Sequence, residues 1–361
     1  MNEKKIAIVC HSFRLDGGMG RYVLILTQGL LDLGYQVTVI TKKVDRSIPI
    51  VNDVECIQIH TKLIPQKLVD HYFNWRLGHI CSSRKFDAVI SCNRNTHSSI
   101  GICGGTHIGY LQAIGKVPRV SDRWQIKLEK GFYKNCKLII AHSQRMKDEL
   151  INLYGVSDEK IFVKYPPFSI ENFSLPSNQL RASLRAEFKF SSDQVVFVLP
   201  SAGNHYVKGF DLIAEYFSRS ALPILLVVAG RPIPSGYKNV RYIGFQKNMA
   251  KLYQGADFTI LPSRYEAFGQ VGPESVACGT PVVFSKAVGS SEVISEKAKI
   301  VFDWSILNDV DRAIKTAVDL ARSGKVRILD PVQYINCQTD IRQHVKDIID
   351  TFSTLEHTKG S

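Results

Sequence analysis

The sequence predicts an α/β protein with two doubly wound domains, each a parallel sheet covered by helices on both faces. Short, nearly continuous apolar runs alternate with amphipathic stretches, and this alternation stops once, at the proline-rich residues 165–177. The 361 residues also exceed the length that one hydrophobic core usually serves. Because ligands of such sheets bind at the carboxyl ends of the strands, we expect the two domains to face a central cleft.

The first domain, predicted over residues 1–168, begins with a βαβ unit. An apolar run at 5–10 leads through a glycine-rich turn into a helical stretch from Arg21, and a second apolar run follows at 36–41. The same alternation continues to the end of the domain. Further strands are expected at 56–59, 86–91, 137–141 and 161–165, with helices near 65–82, 121–134 and 144–154.

The second domain, predicted over residues 169–338, repeats this plan. Residues 339–361 are expected to add a C-terminal helix, over 340–354, that packs back on the first domain and ends in a frayed polar tail. The strands of the second domain are expected at 194–200, 224–230, 239–244, 257–262, 280–284 and 299–302, and its helices from 209 and at 248–254, 272–278 and 306–322.

The charge is strongly basic and unevenly distributed. The chain has 46 Lys and Arg against 33 Asp and Glu, a formal net charge of +13, and residues 1–170 alone hold 24 basic and 14 acidic side chains. Such a surplus indicates nucleic acid, an anionic membrane surface or a phosphorylated substrate as partner, although a solvated surface without a partner gives the same count.

Composition and cysteine usage exclude several classes of protein. Hydrophobic residues make up 45% and charged residues 22%, which argues against disorder and coiled coil. The most apolar stretch, 221–230, is too short to span a bilayer, and no signal peptide is recognised. The eight cysteines include no C-x-x-C pair, no D-x-D lies before a strand end where it would suit Mg²⁺ or Mn²⁺, and no Cys/His cluster has zinc spacing. We therefore expect a cytoplasmic protein that uses no metal or other cofactor.

Two segments that follow predicted strands carry groups suited to a phosphorylated ligand. Gly17 and Gly18 lie in the turn before the first helix, where free backbone N–H groups favour an anion. Lys208 precedes another helix start and could pair with a phosphate. Taken alone, the glycine segment is equally compatible with a merely tight turn, and Lys208 fits an exposed surface lysine better than a phosphate ligand.

A third segment, after the strand at 257–262, is more specific. Glu266 and Glu274 are separated by seven residues that hold a Phe-Gly-Gln turn and the start of a helix with a proline. A helix N-terminus beside two carboxylates suits a nucleotide-linked sugar, because backbone N–H groups can bind the diphosphate and carboxylates can bind hydroxyl groups.

This third segment resembles the hallmark of the retaining, GT-B-fold glycosyltransferases of glycosyl transferases group 1. Their E-x7-E motif matches Glu266 and Glu274, within the pattern P-S-x-x-E-x-F-G-x4-E-x4-G-x-P-V-V. The glycine turn, the Lys-Gly at 208–209, the Gly-Arg at 230–231 and the segment 289–292 follow in the family's order, so the resemblance covers essentially the whole chain. Within the family, the sequence resembles the glycosyltransferases of lipopolysaccharide-core and polysaccharide biosynthesis.

The resemblance implies a GT-B fold of two Rossmann-like domains, with the acceptor bound by the first and the nucleotide-sugar by the second. It implies catalytic roles for Glu266 on donor-sugar hydroxyls, Lys208 on the leaving diphosphate and His107 beside the anomeric carbon. It also implies that no metal is needed. The other implied donor-binding residues are Gly17, Gly18, Arg231, Ile243, Phe268, Gly269, Gln270 and Glu274, the last on the ribose.

One departure from the family concerns the diphosphate. Relatives usually carry an Arg just before the Lys, and residues 201–207 contain none. His205 or Asn204 could replace it, or Lys208 and helix dipoles could act without it.

The sequence thus predicts retaining transfer of a sugar from a nucleotide diphosphate, with UDP the commonest nucleotide among relatives, to a glycan or glycolipid such as a lipopolysaccharide core. A nucleotide-sugar epimerase or sugar-phosphate synthase of the same fold is one alternative. A basic nucleic-acid-binding protein is another, disfavoured because no basic block of five residues occurs. A dinucleotide oxidoreductase is disfavoured because the first turn lacks G-x-G-x-x-G.

The basic first half has a specific interpretation in this family, where that half holds the acceptor. We expect this half to dock peripherally on an anionic bilayer, at the inner face of the cytoplasmic membrane, or on a phosphorylated glycolipid, and we expect no nucleic-acid partner. The lysines that concentrate the charge are Lys127, Lys130, Lys134 and Lys137.

Overall fold

The structure, a computed structural model, describes residues 4–15, 17–168 and 172–358. It contains two compact units. The first unit runs to Pro167 and also includes the chain from Asp340 onward, and the second unit spans Phe168–Thr339. Residues 169–171 of the predicted linker and 359–361 of the predicted tail lie outside the described residues.

The first unit is built on a seven-stranded parallel sheet in the order β3-β2-β1-β4-β5-β6-β7. The strands are β1 (Lys5–Phe13), β2 (Gln36–Val44), β3 (Glu55–Gln58), β4 (Ala88–Ser91), β5 (Ile100–Cys103), β6 (Leu138–Ala141) and β7 (Ile161–Val163). The helices are α1 (Gly17–Asp32), α2 (Val69–Ser83), α3 (His107–Ala113), α4 (Val120–Asn135) and α5 (Gln144–Tyr154), with α11 (Ile341–Thr358) added from the C-terminus.

The second unit has a six-stranded parallel sheet in the order β10-β9-β8-β11-β12-β13. The strands are β8 (Val195–Ser201), β9 (Ile224–Gly230), β10 (Val240–Tyr242), β11 (Phe258–Leu261), β12 (Val282–Ser285) and β13 (Lys299–Phe302). The helices are α6 (Asn178–Glu187), α7 (Phe210–Arg219), α8 (Met249–Gly255), α9 (Val271–Ala277) and α10 (Asp309–Arg322).

The predicted fold class is confirmed by these two parallel sheets. Their central strands are buried along almost their whole length, as in β8, where six of seven residues are buried. A parallel sheet covered on both faces has no solvated side, which explains why the strands are recognisable as continuous apolar runs rather than alternating ones. Among the described residues, no helix has the length and hydropathy to cross a membrane.

The C-terminal helix α11 packs on α1. Val345, Ile348 and Phe352 join the core of the first unit, and the absent side chain of Gly29 makes room for the helix, since a Cβ there would lie 2.5 Å from Cγ2 of Val345. The helix continues four residues past its predicted end, to Thr358. The chain therefore completes the hydrophobic core of its first unit with its last helix.

Three elements have no counterpart among the predicted ones: β5, α3 and α6. Strand β5 has only four residues and contains Gly101, which is required because a Cβ there would lie 2.9 Å from side-chain atoms of Phe132 and Cys136. Helix α6 follows the linker directly and begins where the Ser177 hydroxyl accepts a hydrogen bond from the N–H of Leu180. Strand β5 and helix α3 are short and contain glycine, so their periodicity is weak and tertiary packing defines them. Helix α6 has ten residues and no glycine, and this reason does not apply to it.

A buried histidine fastens α11 to α1. His344 Nε2 lies 2.9 Å from the Tyr22 hydroxyl, and neither side chain is exposed beyond 1%. Burial, reinforced by Lys164, lowers the pKa of His344 from 6.5 to about 3. The opened helix therefore binds a proton that the docked helix excludes, so docking loses stability as the pH falls from about 7 toward 3.

We predict that the free energy of opening α11 falls by about 2 kcal/mol between pH 7.5 and pH 5. Hydrogen exchange of the α11 amides, corrected for the intrinsic rate at each pH, measures it. In His344→Gln, which keeps a hydrogen-bonding group and cannot be protonated, this fall should largely disappear. His357→Gln, at an exposed position of the same helix, should behave as wild type. An unchanged pH dependence in His344→Gln would show that another group is responsible.

Candidate active site

The second sheet reverses its strand order between β8 and β11. Strands β9 and β10 continue on one side and β12 and β13 on the other, so the connections leaving β8 and β11 diverge and open a crevice at the carboxyl edge. Lys208 follows β8 and Glu266 follows β11, so these two predicted residues flank the crevice. Arg231 and Ile243 follow β9 and β10 along the same edge.

The central contact of the site is an ion pair between the Lys208 ammonium and Oε2 of Glu266, residues 58 positions apart. Their side chains are 26% and 19% exposed, so the pair touches solvent but is mostly enclosed by protein. Enclosure makes the attraction stronger than in a fully solvated surface pair. The structure thus brings together one cation and one carboxylate at the point where this sheet type binds its ligands.

The backbone around Glu266 is fixed by the segment after β12. Its N–H donates to the carbonyl of Ala287 at 3.3 Å, and its carbonyl accepts from Gly289 at 3.1 Å. The carbonyl of Phe268 accepts from Ser290 at 2.7 Å. These bonds form a short parallel bridge between Glu266 and Val288 that orients the carboxylate.

The turn after Glu266 requires glycine. Gly269 has φ +90°, and a Cβ there would lie 3.0 Å from Cγ of Glu266. Gln270 then leads into α9, with its carbonyl accepting from the N–H of Glu274 at 3.1 Å. Glu274 is 5% exposed, with the Tyr253 hydroxyl 3.5 Å from its Oε2. Of the two carboxylates of the motif, that of Glu266 is therefore partly exposed and that of Glu274 is buried.

Arg264 holds the Lys208 loop and was not singled out by any motif. Its guanidinium binds both oxygens of Asp211 at 2.7 and 2.8 Å, donates to the Tyr206 carbonyl at 2.5 Å and lies 3.9 Å from the Tyr206 ring centre. Its backbone N–H donates to the carbonyl of Val207 at 2.8 Å. Because Arg264 and Asp211 are 53 residues apart, no local pattern in the sequence reveals the contact.

His205 and Asn204, the predicted replacements for an arginine, are occupied by structural hydrogen bonds. The two ring nitrogens of His205 lie 2.8 Å from Oγ of Ser201 and 2.9 Å from the carbonyl of Pro232. Asn204 Oδ1 accepts from the N–H of Tyr206 at 2.9 Å. Both side chains shape the loop, so Lys208 is the cation that this loop presents to the crevice.

Arg231 and Ile243 lie farther along the same edge. Arg231 is exposed, and its N–H donates to the carbonyl of Ser201 at 3.0 Å, which ties its loop to the end of β8. Ile243 is half-buried, and its N–H donates to the carbonyl of Val228 at 3.0 Å. Both residues are anchored by their backbone; the Arg231 side chain is exposed, whereas the Ile243 side chain packs against the core of the second unit.

In the first unit, Gly17 and Gly18 open helix α1. Gly17 has φ +61°, and ideal Cβ atoms at either glycine would meet nothing within 4 Å. The backbone at this helix start is therefore open on the side where a Cβ would lie. The positive φ favours glycine at Gly17, whereas a side chain at Gly18 would meet no steric obstacle.

His107 is the first residue of α3 and is held by two carboxylates. Its N–H donates to Glu129 Oε2 at 2.9 Å, and its Nε2 lies 3.1 Å from Asp122 Oδ1. The N–H of Arg119, 2.8 Å away, and the His107 ring hold the pKa of Asp122 below its usual range, so Asp122 is the ionised acceptor. This arrangement fixes the ring by its Nε2.

Glu129 connects the residues around His107, and sequence reasoning did not identify it. It is 1% exposed and binds Nε of Arg94 at 2.8 Å, the hydroxyl of Tyr154, and the N–H of His107. The available signal is its position one residue after Leu128 on the apolar side of α4, where a carboxylate needs a buried partner. In the described parts of the chain, no group of three or more His, Cys, Asp or Glu side chains could hold a metal ion.

We predict that Gly209→Ala destabilises the second unit. Gly209 has φ +71° and lies against the end of β11, where a Cβ would be 1.9 Å from the carbonyl oxygen of Pro262. Backbone must move to admit it, so the melting temperature should fall by roughly 5 °C or more. Gly203→Ala is the matched control, because its Cβ would meet only Cε of Lys208 at 3.6 Å. Equal melting temperatures for the two variants would contradict the close approach.

Comparison with known proteins agrees with this geometry. Residues 16–172 match Glycosyltransferase Family 4, and residues 193–320 match Glycosyl transferases group 1. The chain is 38% identical over 351 residues to a "Probable transglycosylase" of Burkholderia thailandensis, with 96% of each chain covered.

Two solved structures share the fold. WaaG, a glycosyltransferase involved in lipopolysaccharide biosynthesis, superimposes with a TM-score of 0.76 at 16% identity over 98% of both chains. HepE of Anabaena, in complex with UDP and glucose, gives a TM-score of 0.71 at 15% identity over 98% of this chain and 100% of its own. With matches over both units and 38% identity across the chain, this protein belongs to the glycosyl transferases group 1 family and is a glycosyltransferase of the GT-B fold.

Proposed function

We propose that this glycosyltransferase moves a sugar from a UDP-sugar, with retention at the anomeric carbon, to a hydroxyl group of a glycan or glycolipid such as a lipopolysaccharide core or another cell-surface polysaccharide. The observation that carries the proposal is the ion pair between Lys208 and Glu266 at the switch point of the second sheet. It places the two groups that the chemistry needs, a cation for the diphosphate and a carboxylate for the sugar, next to each other.

The ion pair suggests that Lys208 exchanges one anionic partner for another when the donor binds. Without a donor, Glu266 neutralises Lys208. A diphosphate carries more negative charge than a carboxylate and would draw the ammonium away. Glu266 would then be able to accept hydrogen bonds from hydroxyl groups of the donor sugar. Binding and activation of the donor are coupled in this scheme, because the same movement prepares both side chains.

In the reaction, the bond between the anomeric carbon and the diphosphate oxygen breaks while the acceptor oxygen bonds to the same face of the sugar. The departing diphosphate oxygen accepts the proton of the acceptor hydroxyl, so UDP leaves and the proton balance is kept. Lys208 stabilises the negative charge that grows on the diphosphate, which is the electrostatic contribution that lowers such barriers most. His107, held by Glu129 and Asp122, is the proposed group beside the anomeric carbon on the first unit.

The other donor contacts are proposed along the same sheet edge. Glu274 would bind the ribose hydroxyls, and Arg231 and Ile243 would lie beside the base. The turn Phe268–Gln270 would approach the sugar and diphosphate through its backbone, and Gly17 and Gly18 would leave space for donor and acceptor. No metal is invoked, since Lys208 supplies the positive charge.

The choice of UDP and of a surface glycan is supported by the two structural neighbours. HepE of Anabaena was solved with UDP and glucose, and WaaG takes part in lipopolysaccharide biosynthesis. Both resemble this chain over almost its entire length. The first unit would bind the acceptor and the second the nucleotide-sugar.

We predict distinct losses for the two motif carboxylates. Thermal-shift screening against UDP-glucose, UDP-galactose, GDP-mannose and ADP-glucose should show stabilisation by a UDP-sugar. With that donor, Glu266→Ala should lower kcat by roughly 100-fold or more, because a contact to the reacting sugar is lost. Glu274→Ala should mainly raise the KM of the donor, about tenfold. Glu296→Ala, whose side chain is 86% exposed, is the control and should leave both constants unchanged.

Product analysis separates the proposal from its alternatives. Mass spectrometry and NMR should show the sugar on an acceptor with the anomeric configuration of the donor. An inverted linkage would contradict retention, and an isomerised donor or a phosphorylated disaccharide would indicate an epimerase or a sugar-phosphate synthase. Wild-type rates in both Glu266→Ala and Glu274→Ala would contradict the site.

A further inference from the structure

At the carboxyl edge of the first sheet, polar side chains from neighbouring elements surround an accessible histidine. His11 lies near the end of β1 and is exposed. Burial of its ring by the surrounding protein, together with the charge of Lys42, nonetheless lowers its pKa from 6.5 to about 4; Asp70 opposes this shift and Arg94 adds to it. A side chain that is accessible yet largely desolvated lies in a concave surface. We call the group of His11, Lys42, Asp70, Arg94 and Gln125 the polar crevice.

The carboxylate of Asp70 joins the elements of the crevice. At the start of α2, its Oδ1 accepts from the Lys42 ammonium of β2 at 3.0 Å, and its Oδ2 accepts from the Gln125 amide of α4 at 3.1 Å. The side chains of Asp70 and Lys42 are 27% and 15% exposed, so a ligand can reach both. Each carboxylate oxygen also has a second lone pair for a further donor. Gln125 Oε1 is enclosed and accepts no hydrogen bond from any group that the structure describes, so the amide has an acceptor in reserve.

The charges of the crevice are balanced. Lys42 is paired with Asp70, and Arg94 binds Glu129 at 2.8 Å. Glu129 is 1% exposed and would lose its cation inside the protein if Arg94 turned to another anion. His11 is neutral at pH 7, since its pKa is about 4. The crevice therefore offers hydrogen-bond donors and acceptors without a net positive charge, although it lies in the basic half of the chain.

Aromatic rings accompany these polar groups. The buried ring of Phe73 lies 6.5 Å from the His11 ring and 5.8 Å from the Lys42 ammonium, measured between ring centres or from the nitrogen to the centre. Trp124, on α4, is 48% exposed, and its ring lies 6.1 Å from that of His71, the residue after Asp70. A sugar ring has hydroxyl groups at its edge and C–H groups on its faces, so it is suited to a site with both polar groups and an accessible aromatic ring.

We propose that the polar crevice binds an uncharged sugar, with one hydroxyl group donating to the Asp70 carboxylate and another accepting from the Lys42 ammonium. A hydroxyl group both donates and accepts, so neighbouring hydroxyls of one ring match a carboxylate beside an ammonium. Trp124 stacks on the C–H face of this sugar. Identifying the sugar as the acceptor residue of the transfer rests on the proposed function, whereas the binding of a sugar by the crevice does not.

A phosphorylated sugar is the competing occupant, and the ion pair of the crevice disfavours it. A phosphate at Lys42 would lie against the Asp70 carboxylate, and that carboxylate is held through its other oxygen by Gln125. Replacing Asp70 by Asn removes the repulsion and leaves the ammonium without its carboxylate. The proposal thus predicts a preference for uncharged sugars that this single change weakens or reverses.

Saturation-transfer NMR tests the polar crevice. The full chain, without nucleotide, is titrated with the methyl glycosides of glucose, galactose, mannose, rhamnose and N-acetylglucosamine, and with the 6-phosphates of glucose, galactose and mannose. The wild type should bind at least one methyl glycoside, and should bind it about tenfold or more tightly than any of the phosphates. Asp70→Asn should weaken the glycoside about tenfold or more and bind the phosphates at least as tightly as the wild type. Gln125→Met, which removes the amide that holds Asp70, should weaken the glycoside about threefold or more.

Asp53→Asn is the matched control. Asp53 is exposed and precedes the amino end of β3, at the opposite edge of the same sheet, so this variant should bind the glycosides as the wild type does. All variants should give the circular dichroism spectrum of the wild type. The proposal is overturned if the wild type binds none of the glycosides, if it binds the phosphates as tightly, or if Asp70→Asn and Gln125→Met bind like Asp53→Asn.

The affinity of the same wild-type sample for UDP separates this inference from the proposed function. A wild type that binds UDP but none of the glycosides contradicts the crevice alone. A wild type that binds a glycoside in the predicted manner but no UDP contradicts the proposed donor, and the crevice then remains a sugar-binding site.

Discussion

The contact on which the site depends is the ion pair between Lys208 and Glu266. It joins the two connections that leave β8 and β11, where the strand order of the second sheet reverses. Neither side chain is positioned by its own loop alone. Arg264 holds the Lys208 loop through Asp211 and Tyr206, and the segment after β12 fixes the backbone of Glu266. These contacts fix the backbone on both sides of a partly solvated pair, so that the proposed exchange of partners requires only the two side chains to move.

The fold and the Glu266 segment were predictable because their signals are local. Apolar runs of parallel strands and a seven-residue spacing can be recognised along the chain. The roles of Arg264 and Glu129 were not predictable, because their partners are distant in sequence. Nothing in the neighbouring residues distinguishes a charged side chain that holds two segments together from one that is exposed on the surface. The expected substitutes for an arginine illustrate the same limit: His205 and Asn204 carry suitable groups, but the structure uses them to shape the loop. Sequence identifies the groups, and tertiary contacts decide which ones remain available.

The structure shows on which side of helix α4 its acidic and basic side chains lie, which a count of charged residues cannot show. Helix α4 turns its carboxylates inward, where Glu129 and Asp122 hold His107, and turns its lysines outward beside Trp124. One helix therefore serves two purposes, positioning a candidate catalytic residue on one side and presenting a basic, apolar surface on the other. The C-terminal helix α11 completes the core of the same unit. Most of the chain's basic surplus therefore lies in this unit, since residues 1–170 hold 24 basic and 14 acidic side chains.

The exchange of partners by Lys208 is tested most directly by calorimetric titration of UDP and of UDP-glucose into the wild type, Lys208→Met and Glu266→Gln. Lys208→Met should weaken both ligands about tenfold or more, because the cation for the diphosphate is lost. Glu266→Gln should bind UDP at least as tightly as the wild type, since Lys208 is freed, and should lose the wild type's preference for the sugar-bearing ligand. Unchanged affinities in Lys208→Met, together with weaker UDP binding in Glu266→Gln, would contradict the account.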